Sequence, residues 1–258
     1  MVWIDLEGAV NVRDLGGLPT EDDQQTAYGR LLRSDNLQGL SPSDIATLVD
    51  GIGVTTVVDL RTTGELETEG PAPLDAVPGV RHVHHPVLPE LGSRTDAVAE
   101  ALLIRKVEQD RVRYPEDITC GHYLGYLEDR PGEVIGALRS IMNSDGAAIV
   151  HCAAGKDRTG VIAAMALTVA GVRSEAVVAD YMASAERMNA IIGRLRKSRT
   201  YAEDVTGKPV SAHLPRPETM EAFLRQLNAR YGGIARWLAG HGFGDDEFSK
   251  LRARLRED

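Results

Sequence analysis

The stretch that decides the fold runs His151-Cys152-Ala153-Ala154-Gly155-Lys156-Asp157-Arg158-Thr159-Gly160. An apolar run at 147–150, short enough for a buried strand, precedes it, and the alanine-rich apolar residues 161–172 that follow are typical of a buried helix. A strand, a loop of small residues and a helix together form a cradle for an anion, because backbone N–H groups point inward and the helix N-terminus adds partial positive charge. The sequence therefore predicts an anion-binding loop at 152–158.

Two side chains at the ends of this loop indicate covalent chemistry. The field of the cradle favours a thiolate, so Cys152 is predicted to have a depressed pKa and to act as a nucleophile at neutral pH. The planar fork of Arg158 can hold two oxygens of a phosphate group. The other phosphate contacts are predicted to come from the backbone of the intervening loop, Ala153, Ala154, Gly155, Lys156, Asp157 and Arg158.

Three neighbouring side chains each have two interpretations. Thr159 could donate its hydroxyl to the cysteine sulfur, or it could cap the helix that follows. His151 could orient Cys152 by a hydrogen bond, or it could be a buried histidine without a chemical role. Asp157 could be the general acid, or it could orient Arg158 or a water molecule.

Charged pairs elsewhere in the chain are predicted to support the loop. Asp59 and Arg61 end a predicted strand, which is where ligand sites of α/β proteins gather. We expect Arg61 to form an ion pair with Glu65 that fixes this segment. A similar pair, Arg13 and Asp14, is predicted to form a turn packed under the anion-binding loop.

The decapeptide resembles the signature loop of the cysteine-based protein tyrosine phosphatase superfamily. Lys156 and Asp157 narrow the resemblance to a bacterial branch that includes the mycobacterial secreted tyrosine/serine and phosphoinositide phosphatase. Further segments resemble that branch in the same order along the chain, namely Asn-Val-Arg-Asp-Leu-Gly-Gly at 11–17, Gly-Arg-Leu-Leu-Arg-Ser at 29–34, Val-Asp-Leu-Arg at 58–61 and Val-Ala-Asp-Tyr at 178–181. The resemblance implies a phosphomonoester hydrolase that uses a phosphocysteine intermediate and no metal or other cofactor. Its expected substrates are phosphotyrosine proteins, with phosphoserine/threonine proteins and phosphoinositides as open alternatives.

The resemblance also assigns individual residues. Glu90, in the segment 85–90, stands where a general acid is expected, although the family places an Asp there; Asp157 is the competing candidate. Lys156 resembles a lysine in phosphoinositide 3-phosphatases of the tumour-suppressor type, which predicts contact with an inositol headgroup. The helices from Ser174 to about Asp204 are expected to form a lid over the pocket.

Composition limits the classes of partner and location. The net charge of −9 disfavours a general nucleic-acid binder. No segment has the roughly 20 consecutive apolar residues of a membrane helix, and no signal peptide is visible at the N-terminus. We therefore expect a cytoplasmic protein, with signal-independent secretion left open. The basic run at 194–199 is either a solvated helix face or a rim that holds an anionic substrate.

The pattern of elements predicts one α/β domain over residues 1–258. Strands are predicted at 29–33, 54–60 and 80–87, and a helix begins at Ser41-Pro42, with Ser41 at the N-cap. Alternation of strands and helices predicts a central, mostly parallel sheet with helices on both faces and the anion-binding loop between the last strand and a buried helix. Residues 95–144 and the C-terminal third are predicted to be mainly helical.

Further predictions concern a metal site, the second cysteine and two other classes of protein. His82, His84 and His85 suggest a metal site, but no cysteine or carboxylate cluster completes a ligand set, so no metal is expected. Cys120 is expected to be a buried free thiol. A rhodanese-type sulfurtransferase also uses a cysteine in an anion-binding loop, and a non-catalytic module that binds phosphorylated ligands or phosphoinositides would retain the same cradle.

Overall fold

A computed structural model describes residues 1–89, 112 and 117–256 of the chain. Its centre is a six-stranded sheet in the order β1-β2-β3-β6-β4-β5. The strands are β1 (Val2–Trp3), β2 (Arg13–Asp14), β3 (Leu31–Ser34), β4 (Val54–Asp59), β5 (Arg81–His84) and β6 (Ala147–His151). β3, β6, β4 and β5 are parallel, whereas β1 and β2 add an antiparallel edge. The predicted α/β class and mostly parallel sheet are confirmed.

The described helices connect and cover these strands. They are α1 (Pro42–Ala46), α2 (Thr63–Glu69), α3 (Ile118–Asp129), α4 (Pro131–Met142), α5 (Asp157–Val169), α6 (Ser174–Ala183), α7 (Met188–Leu195), α8 (Ala202–Val205), α9 (Pro217–Tyr231), α10 (Ile234–Gly240) and α11 (Asp245–Leu255). A π-helical turn at Thr47–Gly51 continues α1, and 3₁₀ turns lie at Pro73–Ala76, Ser184–Arg187 and Val210–His213. None of the described helices has both the length and the apolar character needed to cross a membrane.

Side chains of successive strand residues enter two separate cores. In β6, Ala148 and Val150 pack in the larger core with α3 to α6 and the C-terminal helices, while Ala147 and Ile149 pack in the smaller core with α1. This division follows from the two-residue period of a strand. Because both faces of β6 are covered, its run of apolar residues is uninterrupted, as expected of a buried parallel strand. The predicted helices on both faces are thus confirmed.

Local chemistry explains where the elements begin and end. Ser41 is the N-cap of α1 and Pro42 its first residue, as predicted, and Ser41 and Asp44 also form a capping box. Gly29 has a φ of +64°, so β3 begins later than the predicted residue 29. β5 stops at His84, earlier than predicted, because Pro86 has no N–H to continue the ladder.

The parallel strands end together at one edge of the sheet. In register, Ser34 and Asp59 both lie beside His151, and His84 lies beside Asp59. The loop at 152–156 leaves the sheet at this edge, which is where the topology of an open α/β sheet gathers ligand-binding residues.

Candidate active site

The loop between β6 and α5 is held from behind through its carbonyl oxygens. Asn11 Nδ2 donates to Ala154 O at 2.9 Å and the Asn36 N–H donates to Ala153 O at 3.0 Å. Arg33 Nη2 donates to Gly155 O at 2.6 Å and to the next carbonyl at 3.2 Å. Since a peptide N–H points away from its C=O, a loop whose carbonyls are bound by the scaffold presents its N–H groups to the opposite side. This is the inward arrangement predicted for an anion cradle.

Gly155 is required by the geometry of this loop. Its φ is +68°, in the left-handed region, and a Cβ built on it would lie 2.3 Å from Ser34 O. Any side chain would therefore displace the loop from the end of β3.

A buried cluster of two arginines and one aspartate supports the loop. Arg13 Nε lies 2.8 Å from Asp180 Oδ1 and Arg33 Nη1 lies 2.5 Å from Asp180 Oδ2, with both guanidinium groups almost wholly buried. Burial, and then the charge of Arg33, lower the pKa of Arg13 to about 10, although Asp180 opposes the shift. Burial would raise the pKa of Asp180, but the two arginines outweigh it and hold that pKa below its usual value. The prediction that Arg13 and Asp14 pair in a turn is wrong, because both lie in the strand β2. Arg13 points inward to Asp180, while Asp14 accepts the backbone N–H groups of Gly16 and Gly29.

Arg158 is oriented by a carboxylate from a distant part of the chain. Its Nη1 lies 2.6 Å from Glu65 Oε2 and its Nη2 lies 2.8 Å from Glu65 Oε1, so the pair is bidentate. Burial acts to lower the pKa of Arg158, but Cys152 and Glu65 outweigh it and raise that pKa above its usual value. Cys152 itself is buried and free of disulfide bonds. The structure therefore places Cys152, Arg158 and Glu65 in one electrostatic unit.

The prediction of an ion pair between Arg61 and Glu65 is wrong. Glu65 is the third residue of α2 and accepts the Thr62 N–H in a capping box, which turns its carboxylate toward Arg158. Arg61 precedes the helix and cannot follow the helical spacing that would bring the two side chains together. It pairs instead with Asp59, with Nη2 2.6 Å from Oδ2.

Asp59 also contacts the histidine that precedes the nucleophile candidate. His151 Nε2 lies 3.3 Å from Asp59 Oδ2, and His151 Nδ1 lies 3.3 Å from Cys152 O. Burial would raise the pKa of Asp59, but His151 and Arg61 hold it well below the usual range. These contacts fix the backbone at Cys152 and fit the orienting role predicted for His151, which remains a prediction.

Asp157 opens α5 and is contacted by a tyrosine of α3 and by the lysine that precedes it. Tyr123 of α3 donates its hydroxyl to Asp157 Oδ1 at 2.5 Å, and Lys156 Nζ lies 3.6 Å from Asp157 Oδ2. Lys156 Nζ also donates to His213 O at 2.7 Å. Oδ1 of Asp157 is thus hydrogen-bonded to Tyr123, while Oδ2 lies beside the Lys156 ammonium group.

Thr159 does not cap the helix. It is the third residue of α5, and the residue at the N-cap position, Lys156, makes no side-chain cap. The Thr159 hydroxyl is buried and has no hydrogen-bond partner among the described residues. The alternative prediction, donation to the cysteine sulfur, stays a prediction.

Two comparisons with known proteins identify the family. A sequence profile described as the tyrosine phosphatase family matches residues 4–257. The chain belongs to the tyrosine phosphatase family. A protein of Cupriavidus necator with a provisional tyrosine-protein phosphatase name is 29% identical over 241 residues, which cover 88% of this chain and 80% of that protein. The triple specificity protein phosphatase PtpB of Mycobacterium tuberculosis is 26% identical over 280 residues, covering 97% of this chain and 98% of PtpB. A tyrosine-protein phosphatase of Nostoc commune is 30% identical over 141 residues, covering 52% of this chain and 46% of that protein.

The chain is accordingly a phosphatase of the protein-tyrosine type, a hydrolase with phosphoprotein substrates. The resemblance seen in the signature loop and in the four flanking segments is confirmed. Those segments supply the scaffold of the site: Asn11 and Arg13, Arg33, Asp59 and Arg61, and Asp180 all contact the loop or its supports.

Several residues singled out in the sequence lie elsewhere. Glu90 falls outside the described residues. His82 contacts Asp75, His84 contacts Arg61 O, and His85 lies between Glu133 and Ser140. Cys120 is a buried free thiol, as expected, and burial followed by the nearby Asp117 raises its pKa to about 11.

The basic run at 194–199 contains one bracing residue and three exposed ones. Arg194 forms an ion pair with the buried Asp35 and donates to Asn36 O at 3.0 Å, so it braces the segment that holds Ala153. Arg196, Lys197 and Arg199 are exposed. The exposed residues fit the predicted solvated face, Arg194 does not, and the rim for an anionic substrate stays a prediction.

Proposed function

We propose that this phosphatase hydrolyses phosphomonoesters through a phosphocysteine intermediate on Cys152. The observation that carries the proposal is the loop whose carbonyls are bound from behind, because its N–H groups then face away from the scaffold, where we place the transferred phosphoryl group. The sulfur attacks phosphorus, a P–S bond forms, and the ester P–O bond breaks. A water molecule then cleaves the P–S bond, releasing phosphate and restoring the thiolate.

Arg158 is assigned to the equatorial oxygens of the transferred group. A guanidinium has five N–H donors, and Glu65 takes one from each terminal nitrogen, so three donors are left for the substrate. The pairing with Glu65 fixes the plane of this fork before substrate arrives, which is how pre-organised charge lowers the barrier to phosphoryl transfer.

Substitution of the two central residues tests this mechanism. Cys152→Ser should abolish turnover of para-nitrophenyl phosphate and keep vanadate binding, because the cradle remains and the nucleophile is lost. Arg158→Lys should also abolish this turnover, since a lysine ammonium group cannot make the bidentate contact with the phosphoryl oxygens. A Cys152→Ser rate above about one per cent of wild type would exclude the covalent route, because loss of a nucleophile costs several orders of magnitude. A wild-type protein that binds vanadate without turnover would instead be a non-catalytic binding module, and persulfide formation with thiosulfate would reveal a sulfurtransferase.

Asp157 is our candidate for the general acid, with Glu90 as the alternative. An acid matters most for a poor leaving group. Asp157→Asn should therefore slow hydrolysis of phenyl phosphate far more than that of para-nitrophenyl phosphate, and it should remove the basic limb of the pH–rate profile. Equal slowing with the basic limb kept would make Asp157 an orienting residue, and Glu90→Gln would be tested next.

We extend the proposal to phosphoserine/threonine proteins and phosphoinositides, following the triple specificity named for the mycobacterial relative. Lys156 is the residue assigned to additional phosphates of an inositol headgroup. Lys156→Ala should then reduce kcat/KM for a phosphoinositide more than for a phosphotyrosine peptide, by about 1–2 kcal/mol in the ratio. Equal losses on both substrates would show that Lys156 serves only the common phosphoryl group.

We also propose that helices within about 174–204 form a lid over the pocket. α7 and α8 contribute Met188, Ile191 and Val205 to a buried cluster with Ala153 of the loop. α6, in contrast, is tied beneath the loop by Asp180. Any opening would therefore involve α7 and α8 rather than α6.

A further inference from the structure

A short chain of buried hydroxyl groups ends on Asp157. The hydroxyl of Tyr123 lies 2.5 Å from Asp157 Oδ1 and 2.9 Å from the hydroxyl of Tyr181. A tyrosine hydroxyl has one hydrogen to donate. Because Tyr123 gives its hydrogen to the carboxylate, it must accept one from Tyr181. The direction of the whole chain is thus fixed, from Tyr181 through Tyr123 to Asp157.

We propose that Tyr123 is a positioning residue for Asp157, and that Tyr181 acts through Tyr123. The inference rests on the proposed role of Asp157 in the phosphatase reaction. Tyr123 holds Oδ1, so Oδ2, the oxygen beside Lys156, is the one presented for proton transfer or for orienting water. Without the hydroxyl, the carboxylate would be free to rotate about its terminal torsion, which is a soft coordinate.

Packing shows that the tyrosines are placed with little freedom. Tyr123 is fully buried, and its ring meets those of Tyr181 and Phe223 edge-on, with centroids 6.2 Å and 6.0 Å apart. Gly160 allows the approach of Tyr181 to α5, since a Cβ there would lie 3.1 Å from Tyr181 Cδ2. Gly160, the second glycine of the signature loop, is therefore explained by its close contact with the Tyr181 ring.

Both hydroxyls remain donors throughout the working pH range. Burial, and then Asp157, raise the pKa of Tyr123 well above its usual value, and burial does the same for Tyr181. The pair therefore orients the carboxylate as neutral groups and does not itself lose a proton. The titratable and charged groups that face Asp157 are Lys156 and Arg158 of its own segment, Tyr123 and Tyr126 of α3, Tyr181 of α6, and His213.

The experiment is a double-mutant cycle on the full chain. Tyr123→Phe keeps the ring and should lower kcat for phenyl phosphate about tenfold to a hundredfold, the range for a hydrogen bond to a charged group, with KM changed less than about twofold. Tyr181→Phe should lower kcat for phenyl phosphate about threefold to fivefold, because Tyr181 contacts Tyr123 and acts on Asp157 only through it. In an Asp157→Asn background, Tyr123→Phe should add less than about a twofold loss.

The pH–rate profile separates positioning from a merely structural role. A hydrogen bond donated by Tyr123 favours the charged form of the Asp157 carboxylate. Its loss in Tyr123→Phe should therefore shift one limb of the profile to higher pH, namely the limb that is absent in Asp157→Asn. That direction holds whether Asp157 works as an acid or as a base. Vanadate affinity should be unchanged, because the cradle is intact.

Tyr231→Phe is the matched control. Its hydroxyl contacts Glu128 at 3.2 Å on the protein surface, so this variant removes a hydrogen bond between a tyrosine and a carboxylate that does not involve Asp157. An unchanged profile in Tyr123→Phe, or losses that multiply in the Asp157→Asn background, would overturn the inference. If Asp157→Asn left kcat unchanged, the inference would fail together with the role of Asp157, while Cys152→Ser would still decide the covalent mechanism.

Discussion

Removal of the Asp180 carboxylate should destabilise the protein strongly. Asp180 is the shared partner of two buried guanidinium groups, so Asp180→Asn leaves Arg13 and Arg33 with uncompensated charge. Breaking a buried pair in this way costs about 3–5 kcal/mol. For 258 residues the entropy of unfolding is about 0.54 kcal/mol per degree. The expected fall in Tm is therefore about 6–9 °C.

Thermal unfolding followed by circular dichroism measures this effect, and Asp23→Asn is the control. Asp23 pairs with Arg173 at 2.5 Å, but 89% of its side chain is exposed. Exposed pairs contribute about 0–1 kcal/mol, so the control should shift Tm by no more than about 2 °C. A shift for Asp180→Asn as small as that of the control would refute the argument that the cluster is a buried charge balance.

The same variant has a predicted pH signature. The pKa of Asp180 is lowered in the folded state, so its contribution is complete above the unfolded value of about 3.9 and is lost as pH falls through the folded value. The difference in unfolding free energy between wild type and Asp180→Asn should be constant above about pH 5 and shrink below about pH 4.

Three further predictions concern single side chains of the site. Glu65→Gln should keep the fold and lower kcat/KM about tenfold to a hundredfold, because Arg158 loses its charged bidentate partner. Thr159→Val should leave Tm unchanged or higher, since the buried hydroxyl has no partner among the described residues, and should slow phosphocysteine hydrolysis enough to give a burst of para-nitrophenol. Alkylation at pH 7–9 should label Cys152 in a phosphate-protected manner and reach Cys120 only after denaturation, because the pKa of Cys120 is raised to about 11. Mass spectrometry of the labelled peptides checks the last of these.

The parts of the site that the sequence predicted are those fixed by neighbouring residues. The order of strand, glycine-containing loop and helix follows from hydrophobic pattern and from the small residues between them, all within about 25 positions. Ser41 and Asp44 were predictable for the same reason, since a helix cap is a contact over three residues. Cys152 and Arg158 needed no tertiary information to be paired, because the loop itself joins them.

The partners of these residues depend on tertiary structure. Glu65 is 93 positions from Arg158, and Asp180 is 147 positions from Arg33. Sequence spacing suggested Arg61 for Glu65, because i and i+4 are neighbours on a helix. The helix begins only after Thr62, so that rule did not apply. Nothing local distinguished Tyr123 from other tyrosines, since its hydroxyl finds Asp157 only when α3 packs against α5.

The arginine cluster also explains how an acidic chain binds a phosphate dianion. Arg13, Arg33 and Asp180 together leave one net positive charge buried behind the loop. Arg33 donates to the carbonyls of Gly155 and Lys156, and such donation polarises each peptide so that its N–H becomes a stronger donor on the other side. Positive potential therefore reaches the substrate through the peptide groups rather than through exposed side chains. On this reasoning Asp180→Asn, which raises the buried charge by one unit, should weaken the fold and yet not weaken vanadate binding at temperatures where the fold persists.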